Sequence, residues 1–223
     1  MRRKSANRSA LRDHGAAGAW GFAEATFFFV VPDVWTSWVG LRRPKRALGT
    51  TVSALAGALA GGTVTYAWGR KVAADTSRAA LEKVPAITNA MISGVEQEIA
   101  GTGAASLLRG PTRGVPYKLY ARAAGLQRTP LPAFLAWSVP GRMIRFVVVT
   151  SAVSGIAAMV RRRLPGIPER LISAVFWVCW GAFYAVYLPV MSRRGSTSEP
   201  LAPIPRTRVY SEPRTAGSQT FYA

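Results

Sequence analysis

The sequence predicts an all-α integral membrane protein, a helical bundle with two re-entrant hairpins and about three transmembrane helices. Three observations carry that reading. Apolar runs at 47–69, 133–160 and 171–191 are long enough to cross a bilayer, which takes about 20 residues in a helix. Two more apolar blocks, 15–41 and 102–126, are interrupted by proline, which ends or kinks a helix at the residue before it. The basic residues cluster beside apolar runs: Arg42, Arg43, Lys45 and Arg46, then Arg161-Arg162-Arg163, then Arg193-Arg194.

That clustering explains an extreme charge. With 29 Lys and Arg against 10 Asp and Glu, the 223-residue chain carries a net +19. Charge beside apolar runs sets membrane topology and contacts anionic headgroups, which favours membrane lipids as partners over nucleic acid. Seven Trp and seven Tyr supply interfacial anchors. Cys179 is the only cysteine and His14 the only histidine. Disulfide frameworks and thiolate metal clusters are thereby excluded, Ser-His-Asp and Cys-His catalysis are not expected from a lone histidine, and neither cofactor nor metal is expected. The first apolar run contains Glu24 and lacks a small-residue cleavage pattern, so it is expected to stay in the mature chain.

In chain order, residues 1–14 read as a basic, disordered arm. Block 15–41 carries Glu24 inside the run Trp20-Gly21-Phe22-Ala23-Glu24-Ala25-Thr26-Phe27-Phe28-Phe29 and breaks at Pro32-Asp33. Fewer than 20 residues precede the break, and Asp33 suits an N-cap. Two short half-helices meeting there would form the first re-entrant hairpin, the alternative being one tilted span with a proline kink. Basic segments at 2–12 and 42–46 both belong on the cytoplasmic side by the positive-inside tendency, which favours the hairpin.

Residues 47–69 form an uncharged span in which Gly49, Ser53, Gly57, Gly61, Thr65 and Gly69 recur every fourth position. Such a ridge of small residues lets another helix approach closely, and a homo-oligomer through it is one expectation. In the polar stretch 70–101, Ile87, Met91, Val95 and Ile99 outline an amphipathic helix, lying on the bilayer or against the bundle. Block 102–126 repeats the layout of the first: an apolar start, the break Arg109-Gly110-Pro111-Thr112-Arg113-Gly114-Val115-Pro116, then Tyr117-Lys118 and a second apolar half. This second hairpin carries base where the first carries acid. The span 133–160 bears Arg142 and Arg145, three apart and so on one face. After the last span, 193–223 is rich in Pro, Ser, Thr and Arg and reads as a disordered tail.

Charges at membrane depth are costly and usually functional. Paired broken helices in transporters bring half-helix ends and cations to an anionic substrate. Arg142, Arg145, Lys118, Arg113 and Arg109 are therefore candidates to bind substrate, since an arginine fork donates two hydrogen bonds to a phosphate and lysine acts as a point charge. Glu24 and Asp33 are candidates for proton coupling, because a desolvated carboxylate takes up a proton more readily. The alternative is that the charges only form internal salt bridges that lock the hairpins together.

Glu24-Ala25-Thr26 through Pro32-Asp33, Arg43-Pro44, Gly61-Gly62…Tyr66…Gly69-Arg70, Gly110-Pro111…Gly114…Pro116-Tyr117-Lys118, Ala124-Gly125, Phe134, Gly141-Arg142 and Arg145-Phe146 occur in that order. In these residues the chain resembles the DedA membrane proteins, also called the VTT or SNARE-associated family, and in particular the small YqaA-like branch. The resemblance spans about residues 18–160. It implies two facing re-entrant hairpins and a role in moving phospholipids or polyprenyl phosphates across the bilayer, with proton coupling. It matches the family's acids to Glu24 and Asp33 and its later arginines to Arg142 and Arg145. Tyr117-Lys118 stands near the place where common members have an Arg-rich turn. The expected function is lipid or lipid-phosphate translocation in the bacterial inner membrane, by a membrane domain at 15–192. A non-transporting assembly protein and a lipid-phosphate enzyme are the alternatives, the latter disfavoured by the lack of a clustered nucleophile or metal site.

Overall fold

The computed structural model of the chain describes residues 2–194, and every regular element among them is helical. In order these are α1 (Arg2–Thr26), α2 (Asp33–Arg42), α3 (Pro44–Lys71), α4 (Ala74–Glu82) and α5 (Asn89–Thr102). A 3₁₀ segment (Gly103–Leu108) follows, then α6 (Gly110–Arg113), α7 (Tyr117–Leu126), α8 (Leu131–Arg163) and α9 (Glu169–Arg194). Helices α3, α8 and α9 are the three that are long and apolar enough to cross a membrane, and they contain the three apolar runs read from the sequence.

Helix α1 starts within the basic N-terminus, where the sequence reading expects a disordered arm. No glycine or proline interrupts residues 2–14, and the end of the arm is tied down. Asp13 pairs with Arg43 at 2.6 Å and with Arg46 at 3.5 Å, while His14 Nδ1 lies 2.8 Å from Ser53 Oγ. The first break also differs from the expected meeting of two short half-helices. α1 is 25 residues long and the irregular stretch covers 27–32. Phe27 and Phe28 both donate their N–H to the Ala23 carbonyl (2.9 and 2.7 Å), which ends the helix. The Trp20 indole then donates to the Val30 carbonyl at 3.0 Å, drawing the loop back along α1. Pro32, not Asp33, occupies the N-cap of α2, and no side chain caps it.

From there α2 returns antiparallel to α1. The Trp35 indole donates to the Asp13 carbonyl at 3.0 Å, and the Arg43–Asp13 pair closes the far end. A continuous kinked helix would carry residue 43 far from residue 13, so the single-span alternative is excluded for the fold. The second broken block turns back as well. α5 and α7 lie antiparallel, with Tyr120 donating to Glu98 (2.9 Å) and the Gln127 amide to the Glu96 carbonyl (2.6 Å). Gly114, at φ 71°, supplies the left-handed turn that ends α6.

The ridge on α3 packs against other helices of the same chain. α1 runs parallel to α3 in near backbone contact: a Cβ on Gly57 would fall on the Gly18 carbonyl, and one on Gly61 on the Phe22 carbonyl. Thr65 Oγ1 donates to the Ala25 carbonyl at 2.7 Å. At the end of the ridge, a Cβ on Gly69 would fall on the Arg122 backbone of α7. Small residues on both partners permit this approach, as dispersion and close packing require where no water drives association. The amphipathic helix is α5, and its buried stripe is Ile92, Val95, Glu96 and Ile99, so it faces the bundle.

α8 is the spine. Its buried face, Phe134, Ser138, Arg142, Phe146, Thr150 and Ala157, meets in turn Tyr66 of α3, Tyr117 of α7, Glu24 of α1 and Thr36 of α2. Beyond these, Arg161 Nη2 donates to the Leu41 carbonyl at 3.0 Å. The basic ends at 42–46 and 161–163 therefore share one end of the bundle. Pro140 lies within α8 without ending it, as packed membrane helices allow.

A candidate site of paired charges at the first break

The arginines on the shared face of α8 reach different carboxylates, one on each side of the first break. Arg142 Nη2 forms an ion pair and hydrogen bond with Glu24 Oε2, at the end of α1. Arg145 Nη2 lies 3.0 Å from Asp33 Oδ2, the first residue of α2. Two cations one turn apart thus clamp the loop 27–32 from both ends. Lys118 completes the clamp, its Nζ donating to the Phe28 carbonyl at 2.6 Å.

The two pairs are not equivalent. Arg142 and Glu24 side chains are each 5% exposed, and the guanidinium sits 4.4 Å from the Tyr117 ring centre and 5.1 Å from that of Phe146. Tyr117 is itself fixed by a 2.9 Å hydrogen bond to Ser138 Oγ, which in turn donates to the Phe134 carbonyl at 2.7 Å. Such a pair is sealed in low dielectric, where its attraction is strong and the stranding of either partner is costly. The second pair is looser. Arg145 is 27% exposed, whereas Asp33 is 2% exposed. Despite the short separation, Asp33 Oδ1 and Oδ2 and Arg145 Nε and Nη2 make no hydrogen bond. Arg142 Nε lacks a hydrogen-bond partner as well, and buried polar atoms without partners are uncommon.

Arg145, Asp33 and Glu24 line a cavity of about 410 Å³, with Phe29, Gly114, Tyr184 and Tyr187 among its other walls. Its volume falls in the range of about 300–1,000 Å³ usual for ligand sites. α9 supplies the opposite wall and holds both breaks. The Val31 N–H donates to the Tyr184 hydroxyl, and the Tyr187 hydroxyl donates to the Gly114 carbonyl, each at 2.8 Å.

Of the candidates read from the sequence, Glu24, Asp33, Arg142, Arg145 and Lys118 are brought together. Arg109 and Arg113 are not. Arg109 is exposed, and Arg113, 57% exposed, pairs with Glu98; neither lines the cavity. Sequence reasoning missed Tyr117, Tyr184 and Tyr187. The last two are three apart on one face of an otherwise apolar helix, which was the available signal. It also missed Arg122 of α7, 1% exposed and paired with Glu96, which in turn meets Arg78 of α4 at 2.5 Å. No spacing rule links residues so distant in the chain. Comparison with family models, with curated proteins and with solved structures finds no match to this chain.

Proposed function

We propose that the chain translocates lipids or lipid phosphates across a bacterial inner membrane, with the two turned-back segments re-entering the bilayer and Asp33 coupling the movement to a proton. The observation that carries this reading is the loose Asp33–Arg145 pair on the wall of a ligand-sized cavity, beside the sealed Glu24–Arg142 pair. The DedA/VTT resemblance points the same way. Arg145 is the headgroup ligand: its fork offers a phosphate two parallel donors, and Asp33, although 3.0 Å from Nη2, forms no hydrogen bond with it. When Asp33 takes a proton its charge is lost and Arg145 turns to the phosphate. When the proton leaves, Asp33 draws Arg145 back and the headgroup is released. Glu24–Arg142 and Lys118 hold the break in place through this cycle, and a purely structural assembly role would treat both pairs alike.

The test is transport of a labelled lipid phosphate in proteoliposomes. Arg145→Ala is expected to reduce the rate per folded protein at least about tenfold, the loss of one charge-assisted hydrogen bond pair. Asp33→Asn is expected to leave transport that no longer responds to a proton gradient. Equal rates for wild type, Arg145→Ala and Asp33→Asn would overturn the reading.

A further inference from the structure

Away from the paired charges, a second groove of about 490 Å³ runs between α8 and α9, lined by Leu41, Ala157, Val160, Leu164, Ile167 and Leu171 among other apolar side chains. We propose that it holds one acyl chain of an anionic phospholipid, whose headgroup rests on an arginine rim at the end of the bundle where α2 and α8 finish. The site rests on the membrane reading of the fold and is independent of transport.

The rim follows from the chain itself. Arg42, Arg163 and Arg170 are adjacent in sequence to the groove-lining Leu41, Leu164 and Leu171, and all three are exposed. Of the acids at this end, Glu169 pairs with Arg161 at 2.7 Å and Asp13 with Arg43 at 2.6 Å, so the rim keeps its positive charge. Arg42 is held toward α9, with its guanidinium 5.0 Å from the Trp38 ring centre and Trp38 packed on Phe176 and Trp177 at 5.4 and 5.1 Å. In a bilayer any apolar cleft meets acyl chains; the rim is what selects a negative headgroup. A second copy of this chain would set one arginine rim against another. The groove shares Val153, Phe176 and Cys179 with the cavity at Asp33 and Arg145, so a lipid seated there lies at the cavity's side entrance.

The test is lipid retention by the full chain, purified in mild detergent and measured by native mass spectrometry with phosphatidylglycerol or phosphatidylcholine. Wild type is expected to keep one phosphatidylglycerol and to keep it in preference to phosphatidylcholine. At roughly fivefold per arginine near an anionic surface, the variant R42Q/R163Q/R170Q is expected to bind phosphatidylglycerol about 100-fold more weakly. Arg70→Gln, an exposed charge at the other end of α3, is expected to bind as wild type. A second readout uses Cys179, the only cysteine and part of the groove wall. Its alkylation by N-ethylmaleimide is expected to slow with phosphatidylglycerol and not with phosphatidylcholine. Equal retention of the two lipids, or undiminished retention by the triple variant, overturns the proposal; a lipid-free dimer assigns the groove to a second copy. Retention as expected alongside absent transport leaves this site standing and removes only the transport reading.

Discussion

Replacing Arg142 with Met should destabilise the protein far more than replacing Arg142 and Glu24 together. The single change removes two distinct contributions. Stranding Glu24, whose side chain is 5% exposed, leaves an uncompensated buried charge, which costs about 3–5 kcal/mol. The two ring contacts at 4.4 and 5.1 Å add up to about 1–2 kcal/mol when desolvated. The expected loss is therefore about 4–7 kcal/mol, a large part of the roughly 5–15 kcal/mol that holds a domain folded. Glu24→Leu alone strands Arg142 and should cost about 3–5 kcal/mol. In the double variant no charge is buried, and replacing an ion pair with apolar side chains is often neutral, so only the ring contacts are lost, about 1–2 kcal/mol. Unfolding of the four proteins in one detergent, as a double-mutant cycle, reads the coupling directly. Additivity of the two single losses within about 0.5 kcal/mol, the behaviour of independent sites, would refute the idea that these residues form one sealed unit.

Three further outcomes follow from named contacts. Gly57→Leu should abolish the folded bundle, because its Cβ meets the Gly18 backbone, whereas Gly94→Ala on α5 meets nothing and should gain up to about 1 kcal/mol from helix propensity; denaturation midpoints of the two variants decide. Arg122→Met, which removes one of the two cations on buried Glu96 and leaves Arg78 in place, should cost about 1.5–3 kcal/mol, while Arg113→Gln, from an exposed pair, should cost about 1 kcal/mol or less. In a Cys179→Ser background, single cysteines at Arg12 and Lys45, both exposed, should react with an impermeant thiol reagent from the same side of the membrane. Labelling from opposite sides would exclude re-entry of the α1–α2 pair.

Much of the helical organisation was legible in the chain because its signals are local. Apolar length located α3, α8 and α9, and the run ending at Pro32 announced a break, although hydrogen bonds to the Ala23 carbonyl moved the start of that break to Phe27. Glu24, Asp33, Arg142 and Arg145 stood out because charge in an apolar run is expensive wherever the run folds. Lys118 stood out for the same reason.

What composition and spacing could not decide is who meets whom. Arg142 and Arg145 look equivalent as an i, i+3 pair; one is sealed between two rings and the other faces a cavity, a difference set by the approach of α7 and α9. The six small residues on α3 announce close packing without naming the partner, and the chain's own α1 and α7 take the place. Arg109 and Arg113 share the composition of their block but not its geometry, since Glu98 draws Arg113 outward. Arg122 and Glu96, 26 residues apart, became a buried pair only when α5 folded back on α7. Periodicity and charge are properties of a segment and are written in its residues. Partnership, burial and exposure belong to surfaces that exist only once the segments have packed.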